Sequence, residues 1–171
     1  MPKYRAPRGI AQRGIYLAGP SGFTEAGLVW HNEVVVPKIT AACLLPVDPW
    51  GGSSVLAEIV ATMEWGPDRR QALQVANRDL GRLNLAMIDA SAGVLACLDG
   101  QDVDSGTAAE IGYAHARGKL VVGLRTDTRL CADNEGGWVN LMVETCVVDS
   151  GGIMTSSLDH GIAHLVARLL V

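Results

Sequence analysis

The chain has no excess of basic residues: Lys and Arg total 14 against 18 Asp and Glu, for a net charge of −4. That balance argues against a nucleic-acid backbone as partner, because such binding rests on neutralising phosphates. What basic bias there is lies in the first stretch, with Lys3, Arg5, Arg8 and Arg13. Residues 1–12 read as a flexible N-terminal arm. No apolar run is long enough to span a membrane, and no secretory leader pattern precedes the first strand. The four cysteines form no C-x-x-C pair. Cys43, Cys97 and Cys146 fall in apolar, strand-like runs and Cys131 in a loop, a pattern expected of buried, reduced thiols in a cytoplasmic protein. Internal repeats, low-complexity segments and linkers are absent, so residues 13–171 are expected to form one domain.

What the chain does have is an alternation of strand-like and helix-like runs. At 171 residues, 49% hydrophobic and 19% charged, it can bury one real core. Strands are expected at 14–18, 43–47, 93–98, 120–124 and 145–149. Helical patterning covers 25–41, 54–63, 69–88, 105–117 and 156–170, and 126–139 looks irregular. Strands alternating with helices predict an α/β three-layer sandwich. Its five-stranded parallel sheet would be flavodoxin-like or Rossmann-like. On the last helix Leu158, Ile162, Leu165, Val166 and Leu169 form one stripe. His160 and His164 lie opposite, with no third ligand nearby in sequence, so they read as a solvated face rather than a metal pair.

The segment Asp104-Ser105-Gly106-Thr107-Ala108-Ala109-Glu110 draws attention next. A carboxylate sits at the mouth of a loop, a second lies just inside the following helix, and an open α/β sheet builds its ligand site at such junctions. Asp104 or Ser105 is a good N-cap, so the helix's positive end is expected to favour ionised Glu110, as suits a nucleophile or base. An acid in a first helical turn is also common for dipole reasons alone. Asp79 lies at the edge of the stripe Leu73, Ala76, Leu80, Leu83 and Met87. There it either points into a pocket as a proton donor or pairs with Arg78 or Arg82. Gly19-Pro20-Ser21-Gly22 lacks the G-x-G-x-x-G order and the P-loop Lys; it presents backbone N–H groups to a ligand or is a simple turn. Phe23 and Trp50 could sandwich a flat ring, or pack in the core. Asp99, Asp102 and Asp104 do not match a calcium loop, and no metal is expected.

Taken in order, Ile15-Tyr16-Leu17-Ala18-Gly19-Pro20, Asn77-Arg78-Asp79-Leu80, Asp104 through Tyr113 and Asn140-Leu141-Met142 form a set. On these segments the chain resembles the nucleoside 2-deoxyribosyltransferases. The resemblance implies a retaining double displacement at C1′ of a 2′-deoxynucleoside, with a free purine or pyrimidine base as acceptor. It makes Glu110 the nucleophile that forms a covalent deoxyribosyl ester and Asp79 the acid that protonates the departing base. Asp104 matches a carboxylate that holds the sugar, and Tyr16 a tyrosine that orients the nucleophile. Asn140, on the 5′ side, and Met142 match residues lent by a neighbouring subunit, so a homo-oligomer with intersubunit sites is implied, typically a hexamer of paired subunits. The chemistry needs no cofactor. Pro46-Val47-Asp48-Pro49-Trp50 has no secure family counterpart, which leaves base preference open. Two rivals stay in view: an N-glycoside hydrolase of deoxynucleosides or their 5′-monophosphates, and a non-catalytic nucleotide-binding module.

Overall fold

The computed structural model describes residues 13–52 and 54–170. The expected N-terminal arm, 1–12, lies outside them. Five strands form one parallel sheet in the order β2-β1-β3-β4-β5. These are β1 Gly14–Ala18, β2 Leu45–Val47, β3 Gly93–Cys97, β4 Leu120–Leu124 and β5 Met154–Thr155. Glu25–Trp30, His31–Val35 and Val36–Ala41 run on as one helix, α1. The others are α2 Ser54–Thr62, α3 Pro67–Ala90, α4 Ser105–Ala116, α5 Leu141–Asp149 and α6 Leu158–Leu169.

Strand alternation builds the three layers. Tyr16, Ala18, Val94, Ala96 and Val121 face one side, where they meet Ile88 of α3, Ile111 and Ala114 of α4, and Val143 and Val147 of α5. Ile15, Leu17, Leu95, Leu120, Val122 and Leu124 face the other, against Val35 and Ile39 of α1 and Ile162 and Leu165 of α6. Both faces are apolar because helices cover both. Helix α1 has a wide turn at its middle: Pro37 has no N–H for the preceding turn, and the Val36 N–H reaches back to the His31 carbonyl. Helix α2 buries no residue and packs on α3. Among the described residues no helix is long and apolar enough to cross a membrane.

The expected strand at 145–149 is the second half of helix α5. Thr145, Val147 and Val148 have strand propensity, but the Asn140 side chain caps the helix and Val143 and Val147, four apart, dock on the core. Tertiary packing overrides propensity here. The fifth strand comes later, at Met154–Thr155. Gly151, at φ 82, ends α5 in the left-handed cap conformation. At Gly152 a Cβ would lie 1.6 Å from the Val121 carbonyl oxygen. Only a residue without a side chain lets the chain pass so close and re-enter the sheet. The second strand starts two residues later than expected, because Cys43 takes a left-handed conformation, φ 60, at the end of α1. The cysteines are correspondingly less buried than expected. All four are free, but Cys43 is exposed and Cys146 lies on a helix.

Gly152→Ala is therefore expected to cost about 3 kcal/mol of stability, read as a lower urea midpoint. Gly81→Ala, where the new Cβ meets no atom within 4 Å, should instead raise the midpoint through helix propensity, by up to about 1 kcal/mol.

Candidate active site

Strands β2 and β3 lie on opposite sides of β1. The chain reverses its direction of winding between β1 and β3, so the loops leaving their C-terminal ends part and leave a crevice. Here it is a cavity of about 250 Å³ lined by Gly19, Phe23, Pro49, Trp50, Leu56, Leu80, Asn84, Asp104, Gly106, Thr107 and Glu110. Its wall is divided. Phe23, Pro49, Trp50, Leu56 and Leu80 make an apolar side, whereas Asn84, Asp104, Thr107 and Glu110 supply polar side chains.

Tyr16 lies on β1 with its ring fully buried on the α3–α4 side of the sheet. Its hydroxyl donates to Glu110 Oε1 at 2.5 Å. Asn84, on the inward stripe of α3, donates to the same oxygen from 3.5 Å. Among the described residues both bonds end on Oε1, and Glu110 lines the cavity. Burial raises the Tyr16 hydroxyl far above its ordinary value, and the Glu110 charge and hydrogen bond raise it further. Tyr16 thus stays a proton donor at any working pH.

Glu110 corrects one expectation. It is the sixth residue of α4, in the second turn, and the first turn holds no acid. The helix dipole acts within the first turn, so it does not govern this carboxyl. Burial does: it raises the Glu110 carboxyl above its ordinary value, against the lowering effect of the Tyr16 hydrogen bond. The nearby Asp104 charge raises it further, and the Asn84 hydrogen bond lowers it.

Asp104 is the N-cap of α4. Its Oδ2 accepts from the Thr107 N–H at 2.9 Å and from the Thr107 hydroxyl at 3.1 Å. That fixes the carboxylate and leaves Oδ1 for a ligand. Gly19, at φ 146, turns the chain out of β1 into a short 3-10 turn, Pro20–Phe23. Trp50 is held from below: its backbone N–H donates to Asp48 Oδ1 at 3.0 Å, and the buried His31 sets Nε2 3.1 Å from Asp48 Oδ2. Burial pushes the Asp48 carboxyl up, but His31 and the Trp50 N–H outweigh it and hold it below its ordinary value. The indole lies on the Gly22 backbone, where a Cβ would come within 2.1 Å of the ring.

Phe23 and Trp50 meet edge to face, with centroids 4.8 Å apart and planes at 88°. They touch each other, so they form neither a parallel sandwich nor, with Phe23 71% exposed, a piece of core. Both line the cavity as one aromatic corner. Asp79 is not among the lining residues. It is partly exposed and accepts from Arg82 Nη1 at 3.1 Å, while Leu80 and Asn84 of the same helix face the cavity. Asn140 and Met142 lie at the start of α5 and are likewise not among the lining residues. Asn140 Oδ1 accepts from the Met142 N–H at 3.0 Å, and the Met142 side chain is 61% exposed. Tyr113, one turn beyond Glu110, is partly buried against the core and donates its hydroxyl to Asp89 at 3.0 Å, not to Glu110. The residue that sequence reasoning missed is Asn84. Its signal was an amide four residues after Leu80 on the core stripe of α3.

The raised Glu110 carboxyl has a consequence for stability. Its folded value lies above that of the unfolded chain, so ionised Glu110 opposes folding once pH rises past the unfolded value. Glu110→Gln keeps the shape and an acceptor for Tyr16 without the charge. It should raise the melting temperature at pH 8, with the gain vanishing near pH 4, as scanning calorimetry at the two pH values would show.

The sequence profile of the nucleoside 2-deoxyribosyltransferases matches residues 15–142 of the chain. Among solved structures, a 2-desoxiribosyltransferase from Leishmania mexicana is similar with a TM-score of 0.62 and 25% identity, over 91% of this chain and 98% of that one. A conserved protein from Enterococcus faecalis V583 shares the fold at a TM-score of 0.62 and 24% identity, over 93% and 100%. So does the 2-deoxyribosyltransferase from Bacillus psychrosaccharolyticus, at 0.59 and 18%, over 86% and 88%. No curated protein matches the chain by sequence. With the profile spanning every strand that builds the cavity and both carboxylates within it, the chain belongs to the nucleoside 2-deoxyribosyltransferase family.

Proposed function

We propose that the protein moves 2-deoxyribose from a 2′-deoxynucleoside to a free nucleobase, by way of a covalent ester on Glu110. The observation that carries this reading is the 2.5 Å bond from the Tyr16 hydroxyl to Glu110 Oε1, at the polar side of an otherwise apolar cavity. One carboxylate oxygen is restrained by these bonds, and the other is the proposed nucleophilic atom. In the first half-reaction Oε2 attacks C1′ as the C1′–N bond breaks, and the electron pair of that bond leaves with the base. In the second, the incoming base nitrogen attacks C1′ as its N–H proton passes to the Asp79 carboxylate, the ester C1′–O bond breaks, and Glu110 regains its carboxylate. The two inversions give net retention.

The developing positive charge on the sugar ring lies beside Glu110 and Asp104, where two carboxylates stabilise it. Oδ1 of Asp104 is the proposed acceptor for a sugar hydroxyl. Among the described lining residues there is no Lys or Arg. A 5′-monophosphate would bring an uncompensated charge against two carboxylates, which supports nucleosides with a free 5′-hydroxyl as substrates. The apolar corner of Phe23, Trp50, Leu56 and Leu80 suits the face of a base.

Asp79 is the proposed proton donor to the departing base. It sits one residue from the cavity wall and is engaged with Arg82 in an exposed pair, of a kind that costs only about 0–1 kcal/mol to break. Asn140 and the exposed Leu141 and Met142 are proposed to complete the site of a neighbouring subunit. Their position outside their own chain's cavity and the uncovered apolar surface of Met142 support that role. Neither half-reaction calls for a metal or redox cofactor.

Deoxyinosine incubated with adenine should yield deoxyadenosine in step with hypoxanthine. Free deoxyribose in place of deoxyadenosine would instead mark a hydrolase, and neither product a binding module. The Asp79 role has its own test. Asp79→Asn should slow transfer from deoxyinosine by roughly 10²–10⁴-fold yet spare 7-methyl-deoxyguanosine, whose cationic base leaves without a proton. Equal losses on both donors would remove Asp79 as the acid.

A further inference from the structure

Asn84 has no role in the steps above, yet it is the one polar side chain that α3 sends into the cavity wall. It stands on the stripe that otherwise carries Leu80 and Ile88 inward, so a helix built for packing has an amide at a core-facing place. Its Nδ2 points to Glu110 Oε1 from 3.5 Å, the same oxygen that Tyr16 holds at 2.5 Å. The amide must turn its nitrogen that way, because its oxygen would be repelled by the carboxylate. A long bond of this kind tightens as a filled site closes.

We infer that Asn84 is a positioning residue for the nucleophile: with Tyr16 it clamps Oε1 from a second direction and so presents Oε2, and only Oε2, to C1′. One donor leaves a carboxylate free to pivot about that bond. Two donors from different elements, β1 and α3, remove the pivot. The inference rests on the reading of Glu110 as nucleophile.

The groups facing Glu110 are few. Tyr16 comes from β1, Asp104 from the cap of α4, and α3 offers the neutral Asn84, its charged neighbours Asp79 and Arg82 being paired with each other. Asp104 repels the Glu110 charge, while Tyr16 and Asn84 are the donors that favour it. Losing Asn84 therefore shifts the balance toward the protonated acid. A residue that only filled space would leave that balance unchanged.

The test compares Asn84→Leu and the isosteric Asn84→Asp with the unaltered enzyme, with Glu110→Ala beside them and circular dichroism confirming that each folds. The rate of the first half-reaction, followed as the burst of hypoxanthine from deoxyinosine, should fall about tenfold in Asn84→Leu with KM little changed. The acidic limb of its pH profile should move up by about one pH unit. Asn84→Asp, which adds a third carboxylate, should move the limb further. A carbon-detected NMR titration of the Glu110 carboxyl should show the same upward movement without substrate. If both variants keep the rate and the limb of the unaltered enzyme while Glu110→Ala is inactive, the inference about Asn84 is wrong and the reading of Glu110 stands. If Glu110→Ala retains turnover, that reading itself fails.

Discussion

A carboxylate that must act as a nucleophile has to be buried enough to exclude water, yet held against the tendency of burial to protonate it. Glu110, the proposed nucleophile, is partly buried, and the Tyr16 hydrogen bond opposes, without cancelling, the rise that burial causes. The Tyr16 side chain is buried in the sheet, and burial raises its hydroxyl far above its ordinary value, which keeps it a donor. It contributes a charge-assisted bond to Glu110, among the shortest and strongest kinds available to a side chain. Glu110 is thereby restrained on one oxygen inside a cavity whose larger part is apolar. Removing the phenol would leave the acid with burial and the Asp104 charge both raising it, and only the longer Asn84 contact opposing them.

The rest of the fold serves that placement. Tyr16 reaches α4 because strand alternation turns residue 16, not 15 or 17, toward the α3–α4 side. Glu110 reaches Tyr16 because Asp104 fixes where α4 begins, and Asp104 is fixed in turn by Thr107. The two ends of the cavity have separate supports. His31 and Asp48 set Trp50 at the aromatic corner, while α3 and α4 set the polar side. Under the proposed function, a change at the aromatic corner would alter which flat ring fits, and a change at the polar side would alter the chemistry. The edge-to-face packing of Phe23 on Trp50 leaves Phe23 largely exposed.

Much of this was legible in the sequence where local pattern and global fold agree. The bounds of β1 and β4 follow from apolar runs flanked by turn residues, α1 from its helical patterning and α4 from the cap at Asp104. The sheet's fifth strand was not legible. Thr145, Val147 and Val148 favour a strand locally, and the Gly152 contact with the Val121 carbonyl that fixes the actual entry point exists only in the folded chain. At the site, the two carboxylates stood out because their junction is a recognisable place. The electrostatics of Glu110 did not, since the difference between a first and a second helical turn depends on which residue caps the helix. Asn84 was masked by its setting, because one amide on a stripe of leucines reads as a helix face until Glu110 is seen across from it. Asn140 and Met142 were visible only through the family pattern, and their distance from their own cavity is a property that one chain's sequence does not display.

The central claim is that Glu110 bonds covalently to the sugar. The most direct measurement is mass spectrometry of the protein after incubation with a 2′-fluoro-2′-deoxynucleoside. Fluorine at C2′ destabilises positive charge at C1′ and slows the release of any ester that forms. The account predicts a mass increase of one fluorodeoxyribosyl group, mapped by peptide digestion to Glu110 and absent from Glu110→Gln. An adduct on another residue, or turnover of the fluorinated donor with no adduct at any time, would contradict it.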